Sequence, residues 1–206
     1  MKKYLLKKFC FLLTASLLVL SAAGCMSLFK QQPYVAVKYY DLDSPATIEL
    51  KNIQVEFVQF NSTEPVKYKM VYHNSDYEVV VDDYNKWIQP PSLLLTRYLQ
   101  SSFQQHCISD PKVPRLIISG NIFMYKIDLR NKKVFLGVSY VIKSTSNNIL
   151  KTITRNSSIF TCEIKQQTPQ GFVFAMSNCA AQLTAAIDKS IINIQKHKLL
   201  EVKKQQ

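Results

Sequence analysis

Three long extended segments between positions 115 and 164, followed by one amphipathic stretch, constrain the fold more than any other feature of the chain. The first, RLIISGNIFMYKIDLR, places Ile118, Ile122 and Met124 at the two-residue period of a strand face. The second, VFLGVSYVI, repeats that period through Leu136, Val138, Tyr140 and Ile142, and LKTITRNSSIFTCEI supplies the third. Short polar turns at Arg130-Asn131-Lys132 and Ser144 to Asn148 join them, and strands joined by short turns pair antiparallel. Gly120, inside the first segment, marks a close approach or a bulge. A meander of this kind exposes an apolar face that needs a cover. GFVFAMSNCAAQLTAAIDKSIINI provides it, with Phe172, Met176, Cys179, Leu183, Ile187 and Ile191 recurring at helical spacing.

The preceding half is richer in short strands. YVAVKYYDL (34–42), the extended stretch Ile48 to Phe60, YKMVYH (68–73) and YEVVV (77–81) have β-branched and aromatic composition, with Asn74-Ser75-Asp76 as a turn. Trp87 then precedes Pro90-Pro91, which suit a helix start because the first helical amides need no internal partner. Leu95, Leu99 and Phe103 fall on one face of the helix this predicts over 91–106. The expected fold class is α+β: an antiparallel, strand-rich sheet covered by two main helices in a single domain.

Residues 1–24 read as a leader rather than as part of that domain. Lys2, Lys3, Lys7 and Lys8 precede an apolar run from Phe9 to Leu20, too short for an anchored membrane span. Ala22-Ala23-Gly24-Cys25 resembles a bacterial lipobox, with Ala22 where Leu is usual. The expectation is a lipoprotein signal peptide over 1–24 and lipid attachment at Cys25, carrying diacylglycerol on its thiol and an acyl chain such as palmitate on the new amine. Several chains make a stable anchor, each buried methylene contributing about 0.8 kcal/mol. A lipidated tether follows over 25–33, then the domain over 34–196 and a polar C-terminal tail over 197–206. By resemblance to sorting in enterobacterial envelopes, Met26 in place of Asp favours the outer membrane, with the domain facing the periplasm of a bacterial cell envelope.

Loss of the leader lysines lowers the formal charge from +12 to +8 on 182 residues, enough for one substantial core. Scattered positive charge of this size does not amount to a nucleic-acid footprint, so none is expected as partner. Lys126, Arg130, Lys132 and Lys133 read as a solvated strand end or as headgroup contacts. Cys107, Cys162 and Cys179 remain in the domain; one disulfide plus a thiol, or three buried thiols, both fit, and spacing selects no pair. His106 beside Cys107, with His73 and His197 far off, forms no metal-ligand pattern. Ser101 and Ser102 near His106 lack a nucleophile elbow and an acidic partner. No catalytic residue, metal or cofactor is therefore expected.

The order of these features resembles the ABC-type transport auxiliary lipoprotein family, which includes PqiC-like proteins. The resemblance rests on YVAVKYYDL, on MVYHNSDYEVVVDDYNKWIQPPSLLLTRYLQSSF and on the paired long strands with a terminal helix, together covering most of 34–195. It implies a noncovalent accessory role in intermembrane phospholipid transport, beside a mammalian-cell-entry-type lipid-binding protein and an ABC permease and ATPase complex. A homo-oligomer is implied as well. Met70, Tyr72, Tyr77, Tyr84 and Trp87 are then candidate partner or groove contacts, each weighed against a role in packing, while Pro90 and Pro91 set the helix start. The alternative is a structural or outer-membrane assembly scaffold lipoprotein.

Overall fold

The three long segments form strands that pair antiparallel, as their alternation predicts. The computed structural model describes residues 34–50, 53–63, 68–104, 113–146 and 149–204. The leader, Cys25, the 25–33 tether, His106 and Cys107 lie outside the described residues, as does the side chain of His197. The chain divides into two units, Met1–Ala36 and Val37–Gln206, and the fold is that of the second. Its elements run β1 (Lys38–Tyr40), β2 (Gln54–Phe57), β3 (Asn61–Ser62), β4 (Lys69–His73), β5 (Val79–Trp87), α1 (Pro91–Ser102), β6 (Arg115–Asp128), β7 (Lys133–Ser146), β8 (Ile149–Glu163) and α2 (Pro169–Lys204).

β6 organises the sheet. One of its edges pairs antiparallel with β7, from Leu116↔Ser144 to Asp128↔Lys133, and β7 pairs in the same way with β8. Its other edge is shared end to end by three short strands, all parallel to it: β2 along Arg115 to Ile118, β3 at Asn121 and Ile122, and β4 at Ile127 and Asp128. The path is β1-β5-β4-β6-β7-β8, with β1 parallel to β5 and β4 antiparallel to β5. The sheet is thus mixed, with the antiparallel meander as its larger part. Parallel pairing requires a crossover, and β5 with α1 provides it between β4 and β6.

Alternation in β6 changes phase halfway. Leu116, Ile118 and Ile122 are buried, but the register shifts between Ile122 and Met124, so that Tyr125 and Ile127 are the next residues to turn inward. Met124, expected on the apolar face, is only partly buried. Two residues on the bulged strand oppose one on its neighbour, which reverses every later side chain. Gly120 precedes this point and answers the expectation of close approach: a Cβ there would lie 2.3 Å from Cε1 of Phe60 and 2.7 Å from the Ser139 carbonyl oxygen. The buried Phe60 ring occupies the space a larger residue would need.

Both helices cover one face of the sheet, α1 against β2 and β6, α2 against β7 and β8. Phe172, Met176, Cys179, Leu183, Ile187 and Ile191 are all buried, as their spacing predicts, and each large apolar side chain so buried contributes roughly 1.5–3 kcal/mol. Thr168 opens α2 by accepting the Gly171 amide on Oγ1 at 3.2 Å, with Pro169 as the first helical residue. With no glycine or proline after Gly171, α2 continues to Lys204, through most of the stretch read as a tail.

α1 starts where the proline pair predicts, with Pro90 at the N-cap and Pro91 in the first turn. It ends at Ser102 rather than near 106, because Gln104 takes a left-handed φ of 44° and leads the chain off the helical path. Buried hydroxyls on the helices receive amides from the irregular segments: Phe60 N donates to Thr96 Oγ1, and Asp43 N to Ser177 Oγ, each at 2.9 Å. Those contacts fix the loops that flank β1 and β2 onto the helical layer.

Candidate functional site

The residues singled out in the sequence separate into two environments. Met70 and Trp87 are fully buried and Tyr72 nearly so, whereas Tyr77 is 97% and Tyr84 50% exposed. Met70 and Tyr72 point the same way from β4, and the Tyr72 ring packs on Phe172 of α2 at 5.2 Å between centroids. Trp87, at the end of β5, stands edge-on to Tyr125 and donates its backbone amide to the Tyr68 carbonyl at 2.6 Å. These three side chains belong to the core. Pro90 and Pro91 continue directly from that anchored end of β5 into α1.

β5 carries a wide irregularity built around one carboxylate. Between the pairs Lys69↔Lys86 and Val71↔Val81, four residues of β5 face one of β4. Asp82 holds this loop of strand: its Oδ1 accepts the Tyr84 and Asn85 amides, and its Oδ2 accepts the Asn85 side-chain amide and the Tyr72 hydroxyl, all at 2.8 Å. Tyr40 of β1 donates its hydroxyl to Asn85 Oδ1 at 3.1 Å, tying the edge strand to the same cluster. Burial works to raise the Asp82 carboxyl, but the hydrogen bonds from Asn85, Tyr84 and Tyr72 prevail and hold it below the usual carboxylate value. Burial, then the Asp82 carboxylate, push the Tyr72 hydroxyl well above its ordinary range, so it stays a donor.

Beyond that cluster β5 runs on beside β4, within the sheet, as an apolar arm. Val79, Val80 and Val81 are all exposed. Successive strand residues face opposite sides, so exposure of three in a row leaves both faces of the arm open. Tyr77 stands at its turn, where Ser75 Oγ accepts the Tyr77 and Glu78 amides, and Tyr84 and the half-exposed Tyr39 of β1 extend the apolar surface toward the sheet edge. Arg130 in the β6–β7 turn approaches Asp76 at 3.7 Å and steadies the tip. Contiguous exposed apolar surface of this kind marks interaction sites. Sequence reading selected Tyr77 and Tyr84 but left out Val79, Val80 and Val81, which alternation alone assigns half to the core.

Of the basic cluster, Lys126 pairs with Asp128 at 3.3 Å and lies over the Phe135 ring, and Arg130 is engaged as described. On the open side of the sheet, a shallow trough of about 610 Å³ is lined by Gln59, Asn61, Asn121, Ser139, Arg155 and their neighbours. It offers amides, hydroxyls and one guanidinium, without a nucleophile beside a base. Ser102 is buried with its hydroxyl donated to the Tyr98 carbonyl. Among the described residues, no three His, Cys, Asp or Glu side chains converge as a metal site would, and no helix is long and apolar enough to cross a membrane.

Solved structures share this arrangement of sheet and helices. A protein from Xanthomonas campestris described under the family model DUF330 matches with a TM-score of 0.59 at 12% identity, over 79% of this chain and 99% of that chain. The chain is similar to it in fold. A crystal structure of an uncharacterized protein matches with a TM-score of 0.58 at 15% identity, over 76% of this chain and 99% of the other. At these identities the likeness is one of fold. No family model and no curated protein matches the sequence.

Proposed function

We propose that this chain is an outer-membrane-anchored accessory lipoprotein of an ABC/mammalian-cell-entry intermembrane phospholipid transport system. Cys25 carries the lipid anchor, and the domain acts by noncovalent docking to the mammalian-cell-entry-type lipid-binding protein, organising its complex with the permease and ATPase. The observation that carries this reading is the open β4–β5 arm: Tyr77, Val79, Val80, Val81 and Tyr84 are offered to solvent on a hairpin pinned at its base by Asp82. Rigid aromatic and β-branched surface of this composition suits the centre of a protein interface. The resemblance of the Met70-to-Phe103 stretch to the auxiliary lipoprotein family supplies the identity of the partner.

The test is capture of the lipidated chain from gently solubilised native envelopes after brief crosslinking, with mass spectrometry of what accompanies it. Recovery of a mammalian-cell-entry protein with its ABC permease is the expected outcome. Reproducible recovery of outer-membrane assembly or cell-wall components alone would replace this reading with that of a scaffold lipoprotein.

A further inference from the structure

Cys162 and Cys179 come from different elements and meet over one residue. Cys162 lies on β8 directly opposite Val134 of β7, and Val134 is fully buried beneath α2, so both side chains face the helix. From the helix, the Cys179 thiol reaches the Val134 carbonyl at 3.9 Å. One turn further along α2, Gln182 donates its side-chain amide to Cys162 Sγ at 3.3 Å. Two α2 residues thus reach this place, Cys179 at the Val134 carbonyl and Gln182 at the Cys162 sulfur. Both cysteines are free thiols in the structure.

We propose that Cys162 and Cys179 are the cystine pair of this chain, a covalent staple between the edge strand β8 and helix α2. Strand register and the Gln182 amide locate the Cys162 sulfur, and the Val134 carbonyl locates the Cys179 sulfur, both beside Val134 between β8 and α2. Spacing along the chain carries no such information. Among the described residues β8 is an edge strand paired with β7 alone, so a bond from its inner face to α2 adds a covalent tie at that edge.

The chemistry requires a disulfide oxidant, either a small-molecule disulfide such as oxidised glutathione or a protein dithiol in its oxidised form. Cys162 is the half-buried partner and Cys179 the buried one, which makes Cys162 the sulfur an oxidant meets first. Its thiol loses a proton, and the thiolate attacks one oxidant sulfur; the oxidant S–S bond breaks and the departing thiolate takes up the proton. The Cys179 thiol then loses its proton and attacks Cys162 Sγ, expelling the second oxidant sulfur as a thiol. Two protein thiols have been oxidised to one cystine and one oxidant disulfide reduced to two thiols. Burial raises the Cys179 thiol above its ordinary value, so the second step is the slower one and accelerates with pH.

The full-length protein, reduced and then equilibrated in detergent with a predominantly oxidised glutathione buffer, provides the test. Remaining thiols are blocked by alkylation under denaturing conditions, and the chain is digested without reductant for mass spectrometry. The expected product is the Cys162 peptide joined to the Cys179 peptide, with Cys107 alkylated. The same digestion of Cys179→Ala is expected to return Cys162 unlinked to any other cysteine of the chain. Linkage of Cys162 or Cys179 to Cys107 in the wild-type chain, or recovery of both as alkylated thiols, would overturn the proposal. The wild-type map gives this answer without requiring any variant to fold.

Discussion

Trp87 and Tyr125 meet edge to face, their ring centroids 5.4 Å apart and their planes at 77°. The contact exists because the register shift in β6 turns Tyr125 toward the core exactly where β5 hands over to α1. It joins the two halves of the fold at the point where the indole also closes the sheet.

Replacement of Trp87 by Ala removes a fully buried ring and its partner contact together. The expected loss is about 3–5 kcal/mol of unfolding free energy, measured by denaturant titration of the full chain. A Trp87→Ala chain with an unchanged midpoint would show that the indole is not the anchor described.

Gly120→Ala puts a methyl against both the Phe60 ring and the Ser139 carbonyl oxygen. The expected cost is about 1–3 kcal/mol. In a Phe60→Ala background the penalty should shrink without vanishing, since the backbone oxygen at 2.7 Å stays in place. Equal penalties in both backgrounds would contradict the ring contact.

Asp82 gives the β5 irregularity an acid sensitivity. Its folded carboxyl lies below the unfolded value of about 3.9. It therefore contributes stability that is present above that value and is lost as pH falls from there through the lower folded value. Asp82→Asn keeps one acceptor oxygen but turns an amide toward the Tyr72 hydroxyl and the Asn85 amide. The variant should be less stable by about 1–3 kcal/mol at pH 7, with the gap to the parent chain closing toward pH 2. A gap of constant size across that range would assign the loss to packing instead.

Cys25→Ser should leave the body of the domain folded while abolishing lipid attachment, so that the chain remains unprocessed or loses outer-membrane retention. Envelope fractionation with metabolic labelling by palmitate reads both effects. Normal outer-membrane retention of the variant would contradict a thioether anchor.

Much of this fold was legible because three of its strands and both helices carry long, regular patterns. The α2 stripe from Phe172 to Ile191 and the inward face of β7 from Leu136 to Ile142 lie where period alone places them. Legibility failed where a local event reverses the pattern. The β6 bulge exchanges Met124 for Tyr125, and no residue at that position announces it. The parallel joins of β2, β3 and β4 escaped for a different reason: each is two to four residues long where it meets β6, and partner choice at that length depends on tertiary contacts. Among the candidate contact residues, Tyr77 and Tyr84 are exposed, while Met70, Tyr72 and Trp87 went to the core. Asp82 was missed because a carboxylate in a strand reads as a break, and its four acceptor contacts become visible only once β5 is folded.

A photo-crosslinking amino acid placed in turn at Tyr77, Tyr84 and, as a distant exposed control, Ile192 of α2 tests docking through the β4–β5 arm most directly. In intact envelopes, positions 77 and 84 should yield adducts with the mammalian-cell-entry-type protein and position 192 none. Adducts of positions 77 and 84 only with copies of this chain, or with the partner from position 192 alone, would contradict the assignment of the arm as its docking surface.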